Sequence, residues 1–180
     1  MPEKVTIASD WLTGCAGCHM SLLDLDERLV ALLDAVAFSS TPITDLKHPP
    51  ETGVTVGILE GCVGNSATEE VAKRMRQRCQ ILVALGDCAV FGGVPTMGNA
   101  CCPKAALHRA YVESESTVDG SIPDDPELAT LQEARAVSKV VKVDVSLPGC
   151  PPSADAIYQV LTDLVAGRTP TLTPKNLDWH

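Results

Sequence analysis

Runs of apolar, mostly β-branched residues recur at positions 4–9 (KVTIAS), 54–59 (VTVGIL), 81–85 (ILVAL) and 140–145 (VVKVDV), each closed by a polar or glycine-containing loop. Runs of this length and make-up predict four buried strands. A weaker fifth, 35–39 (AVAFS), follows residues 21–33, where Leu22, Leu25, Leu29, Leu32 and Leu33 recur at helical spacing. Further helices are predicted over 66–78, 103–113, 126–137 and 152–166. Surface loops are predicted at 113–126, which is acidic and punctuated by Gly and Pro, and at 169–176. Strands and helices therefore alternate, which predicts an α/β fold with a doubly wound, mostly parallel sheet. The chain of 180 residues suffices for one sizeable core, so 1–180 reads as a single domain with a short C-terminal tail.

Composition narrows the function classes. Fourteen Lys and Arg against 23 Asp and Glu leave a formal net charge of −9, which repels nucleic acid and anionic lipid. Aromatics at 3% offer no stacking platform for single strands, so a protein partner is the better expectation. No apolar stretch reaches the roughly 18 residues of a membrane span. The first residues carry neither a secretory apolar region nor a twin-arginine pair, so a cytoplasmic location is expected. In a reducing compartment, eight cysteines point to metal or redox work rather than to disulfides. Neither a GxGxxG after a strand nor a GxxxxGK[ST] occurs, and no dinucleotide or ATP site is expected.

The cysteines fall where such a fold builds its sites. Cys15 and Cys18 follow the 4–9 strand, Cys62 the 54–59 strand, Cys88 the 81–85 strand and Cys150 the 140–145 strand. In a parallel sheet these loops share the carboxyl edge. Thiolates gathered there can hold zinc or an iron–sulfur cluster, since both take soft sulfur ligands. Structural zinc usually takes two close pairs, whereas here one pair, Cys15-x-x-Cys18, is accompanied by cysteines from separate loops. A thioredoxin-like thiol-redox module explains a CxxC before a helix but leaves Cys88 and Cys150 without a role. A flavin carrier would want a Ser/Thr-rich loop after the first strand, where cysteines stand instead. Gly14 and Gly17 let the backbone wrap tightly, and helix-start amides after Cys18 are expected to donate to bound sulfide. Pro148-Gly149-Cys150-Pro151-Pro152 makes a rigid turn into the last helix.

Four motifs in order carry a resemblance: Cys15-Ala16-Gly17-Cys18-His19-Met20-Ser21, Glu60-Gly61, Gly86-Asp87-Cys88-Ala89-Val90-Phe91-Gly92-Gly93 and Leu147-Pro148-Gly149-Cys150-Pro151-Pro152. They resemble the motifs of NiFe hydrogenase small subunits, and residues 142–154 (KVDVSLPGCPPSA) with the short length resemble the soluble NAD-reducing group. The resemblance implies a flavodoxin-like fold and one proximal 4Fe-4S cluster ligated by Cys15, Cys18, Cys88 and Cys150, with Glu60 and Cys62 as candidates close by. It also implies a NiFe centre on a separate large subunit, with FMN and further iron–sulfur clusters on the diaphorase subunits that reduce NAD⁺. This chain would then relay electrons and hold no catalytic residue. The related iron–sulfur subunit of complex I is the alternative. Its vicinal cysteine pair belongs at the end of the first strand, where this chain has CxxC, and the vicinal pair here is Cys101-Cys102, expected in a loop near an interface. Cys79 reads as a small buried apolar residue, His19 as a capping or interface residue, Asp87 as a partner for loop amides and Trp11 as packing against a partner.

Overall fold

The computed structural model describes residues 4–173. At its centre lies a parallel sheet of β1 (Val5–Trp11), β2 (Val36–Ser40), β3 (Val54–Glu60), β5 (Cys79–Leu85) and β7 (Val145–Leu147), in the order β2-β1-β3-β5-β7. That is the flavodoxin-like order, with the reversal between β1 and β3. An antiparallel pair joins β4 (Val63–Asn65) to β6 (Leu131–Arg135).

Neighbouring strand residues feed opposite faces. Ile7, Ile58 and Val83 meet Leu22 of α1 (Gly17–Leu23), Leu32 of α2 (Glu27–Leu32) and Ile157, Leu161 and Leu164 of α6 (Ala154–Val165). Ala8, Leu59 and Ala84 meet Ala72 and Met75 of α3 (Ser66–Arg78) and Ala89 of α4 (Gly86–Phe91). Burying one Leu or Ile contributes roughly 1.5–3 kcal/mol, and a one-residue slip of a central strand would exchange its two faces, so the register is strongly specified. Among the described residues no helix is long and apolar enough to cross a membrane.

Several predicted elements are corrected. The helix expected over 21–33 is two helices, broken where Asp26 adopts φ 51°. Asp is a weak helix former that tolerates the left-handed region, while Leu25 beside it is drawn into the core; the leucine spacing reported burial, not continuity. The helix expected over 126–137 is β6 and a turn. Asn99 bonds both the N–H (2.8 Å) and the C=O (2.9 Å) of Ala134 from one side and β4 pairs from the other, so tertiary pairing overrides local helix formers. The strand expected at 140–145 forms later, as β7, because Val137–Lys139 make a 3₁₀ turn that buries Val137. The loop expected to carry Cys88 after β5 is instead the helix α4, and a 3₁₀ segment, Val94–Ala100, follows it. The end of the predicted tail, 174–176, lies outside the described residues.

One clamp fixes the short β7, and with it the loop that carries Cys150. Asp144 Oδ2 accepts the Leu82 N–H at 2.9 Å and a short bond from Arg76, and Lys142 reaches Oδ1 at 3.3 Å. Arg76 also donates to the carbonyls of Cys79 and Gln80, both at 2.8 Å. Burial opposes ionisation of Asp144, but the Leu82 amide, Arg76 and Lys142 outweigh it and hold the carboxyl at about 2. A carboxyl held below its unfolded value stabilises above that value and loses its contribution as pH falls through the folded one. Asp144→Asn is therefore expected to cost about 1–2 kcal/mol near neutrality, with the gap to the parent closing between about pH 4 and about pH 2. Thermal denaturation of both chains across that range is the check.

Candidate metal centre

Cys15 and Cys18 follow β1, Cys88 sits in the first turn of α4 directly after β5, and Cys150 follows β7. All four line one narrow cavity with Glu60 and Asp87. Cys18 is buried, Cys88 half-buried, and Cys15 and Cys150 exposed, so the cavity opens to the surface.

The loops around this cavity are tied to one another. Asp87 Oδ1 accepts the Gly149 N–H at 2.7 Å, and the Asp87 N–H donates to the Gly149 carbonyl at 2.9 Å, locking the Cys88 loop to the Cys150 loop. Ser21 Oγ donates to the Pro152 carbonyl at 2.6 Å, fixing α1 to that same loop. Thr13 and Cys62 exchange backbone bonds of 2.8 and 2.9 Å. Glycine is required where loops press on sulfur: Gly86 has φ +85°, and a Cβ there would strike Cys18 Sγ; one on Gly93 would lie 2.7 Å from Cys88 Sγ.

Glu60, at the end of β3, accepts the Cys18 N–H at 3.0 Å and the His19 N–H at 2.9 Å. Of the helix-start amides after Cys18 that were expected to donate to bound sulfide, the His19 N–H is therefore already taken by a buried carboxylate. Burial raises the Glu60 carboxyl, but hydrogen bonds from the His19 ring and the two amides bring it below its ordinary value. Burial, then Glu60 and the thiols of Cys15, Cys88 and Cys150, push the Cys18 thiol far up; Cys88 is raised by burial and then by Cys150 and Cys15.

Over most of its length the chain is similar to known proteins. The delta subunit of the NAD-reducing hydrogenase HoxS of Cupriavidus necator is 42% identical over 171 residues, which is 92% of this chain and 80% of that protein. A crystal structure of an NAD⁺-reducing [NiFe]-hydrogenase in the H2-reduced state matches with a TM-score of 0.93 and 38% identity, covering 99% of this chain and 100% of that one. Residues 15–164 match the family of the NADH ubiquinone oxidoreductase 20 kDa subunit. The chain belongs to this family, as a hydrogenase small subunit. The delta subunit of sulfhydrogenase 2 of Pyrococcus furiosus is 31% identical over 159 residues, covering 88% of this chain and 61% of that longer relative.

The other singled-out residues of this small subunit lie apart from the cavity or behind it. Cys62 is buried beneath the loops and does not line the cavity; burial, and then Cys88, raise its thiol. Cys79 opens β5 at its amino end and is buried in the core. Cys101 and Cys102 are exposed beyond the Val94–Ala100 segment. Cys102 borders a cavity of about 860 Å³, which lies between α5 (Pro103–Tyr111) and residues 123–131 and touches none of the four cysteines above. His19, expected to cap or to face a partner, is fully buried instead. Sequence reading missed its pairing with Ser9 and Glu60; the available signal was a serine and a glutamate that close the mostly apolar runs of β1 and β3.

Proposed function

We propose that this chain is the electron-transfer small subunit of a cytoplasmic NiFe hydrogenase, holding one 4Fe-4S cluster on Cys15, Cys18, Cys88 and Cys150. It would stand between the NiFe site of a large subunit and the FMN- and iron–sulfur-bearing diaphorase subunits that reduce NAD⁺. The observation that carries this reading is that these four cysteines, from three separate loops, line one cavity. When bound, such a cluster supplies one-electron redox chemistry at a potential set by charge, hydrogen bonding and exposure.

The residues do the rest. The Asp87–Gly149 and Ser21–Pro152 bonds hold the thiol-bearing loops in place, and Glu60 sets the start of α1. Trp11 at the end of β1, Met20 of α1, Phe91 of α4, and Val94 and Met97 just beyond it expose apolar side chains close in sequence to Cys15, Cys18 and Cys88, which suits a face covered by the large subunit. A single zinc ion fits less well. Structural zinc usually takes two close cysteine pairs, whereas here one pair is joined by single cysteines from two separate loops.

The test is iron and acid-labile sulfide in this chain purified anaerobically apart from its iron-bearing partners, with a paramagnetic resonance spectrum after dithionite reduction. About four of each per chain, with a fast-relaxing signal, is the expected result for one 4Fe-4S cluster. Zinc without sulfide would discard it in favour of a structural module.

A further inference from the structure

Ser9, His19 and Glu60 form a polar chain inside apolar surroundings, with exposures of 2%, 0% and 3%. The relay of electrons requires no histidine there. Beyond the two amides already described, Glu60 Oε2 makes a short bond with His19 Nδ1. A carboxylate only accepts, so the proton of that bond belongs to Nδ1, while Nε2 on the far side of the ring pairs with Ser9 Oγ at 3.0 Å. Trp11 closes the remaining freedom of the ring edge-on, with centroids 5.7 Å apart and planes at 85°. Three elements thus converge on one carboxylate: β1 through Ser9 and Trp11, α1 through Cys18 and His19, and β3 through Glu60 itself.

We propose that Ser9 and His19 are positioning residues that fix the Glu60 carboxylate behind Cys18, and that this fixed charge lowers the potential of the cluster bound there. The inference rests on the cluster reading above. A negative charge held in a poorly screened site disfavours an added electron nearby, and its effect depends on where it is held. Ser9 and His19 act only through Glu60, so their influence vanishes once the carboxylate is gone.

The experiment is a redox titration of the cluster's resonance signal in the assembled hydrogenase, for the parent, Ser9→Ala, His19→Gln, Glu60→Gln and the two double variants with Glu60→Gln. Iron content and melting temperature are measured alongside. Glu60→Gln is expected to keep the cluster and favour its reduction about tenfold, which is about 59 mV for one electron. His19→Gln and Ser9→Ala shift the potential the same way by less, and each double variant matches Glu60→Gln alone. An unchanged potential in Glu60→Gln with iron intact overturns the proposal, as does a His19→Gln shift that adds in the double variant; both outcomes leave the ligand assignment standing. A parent chain that carries no iron and sulfide when purified anaerobically apart from its partners overturns the ligand reading itself. Should His19→Gln fail to assemble, Ser9→Ala decides alone, since it removes one hydroxyl and no volume from the ring's site.

Discussion

A Cys88→Ser chain is expected to leave anaerobic purification with less than half the iron and sulfide of the parent, while Cys79→Ser carries the parental amount. Cys88 lies in the first turn of α4, lines the cavity and sits under Gly93, where no Cβ intrudes. Serine offers a hard oxygen that ionises far less readily than a thiol, a poor exchange for a metal that selects soft sulfur. With one of the four proposed ligands gone, a bound cluster would lack one of its thiolates. Cys79 is also a buried cysteine, but it sits at the other end of the same strand, packed close against Gly57 of β3, with Arg76 on its carbonyl. Its replacement buries a hydroxyl at a cost of about 1–3 kcal/mol, which lowers the melting temperature and leaves iron alone. Hydrogen-dependent NAD⁺ reduction should follow the iron. Equal iron in the two variants would sink the ligand assignment.

What makes this contrast possible was legible in the chain before any coordinates. The run at 81–85 is a strand, so its two flanking cysteines had to lie on opposite edges of the sheet, and only the carboxyl edge gathers loops. Strands at 4–9, 54–59 and 81–85 were readable because parallel strands, buried on both faces, are continuous apolar runs. The 126–137 segment was not, because LQEAR has no apolar face to report and becomes a strand only through β4 and Asn99. In the candidate site, the four cysteines are conspicuous by type and position. The Glu60–His19–Ser9 chain is not, since its members are distant in sequence and meet only once β1 and β3 pair with Trp11 opposite Glu60. The periodic pattern identifies what is buried; it carries no information about which buried polar groups satisfy each other.

Gly86→Ala is expected to be among the most damaging single substitutions in the chain, and Gly53→Ala isolates the reason. Both glycines hold a left-handed backbone, φ +85° and +89°. An L-residue there costs about 1–2 kcal/mol whatever surrounds it. At Gly53 nothing lies within 4 Å of the added methyl, so that backbone cost is the whole effect and the iron content stays parental. At Gly86 the methyl meets Cys18 Sγ, with the Gly149 carbonyl 3.5 Å away. Cys18 has little room to yield: it is buried, its amide is held by Glu60, and its Cα belongs to α1, which is pinned to the Cys150 loop by Ser21. Overpacking of this kind adds roughly 1–3 kcal/mol, and the atom displaced is one of the four sulfurs. Gly86→Ala should therefore lower the melting temperature by clearly more than Gly53→Ala and lose iron as well. If both variants melt alike and both keep their iron, the sulfur moves freely, and the close packing of the β5 loop on α1 is not what holds the thiols in register.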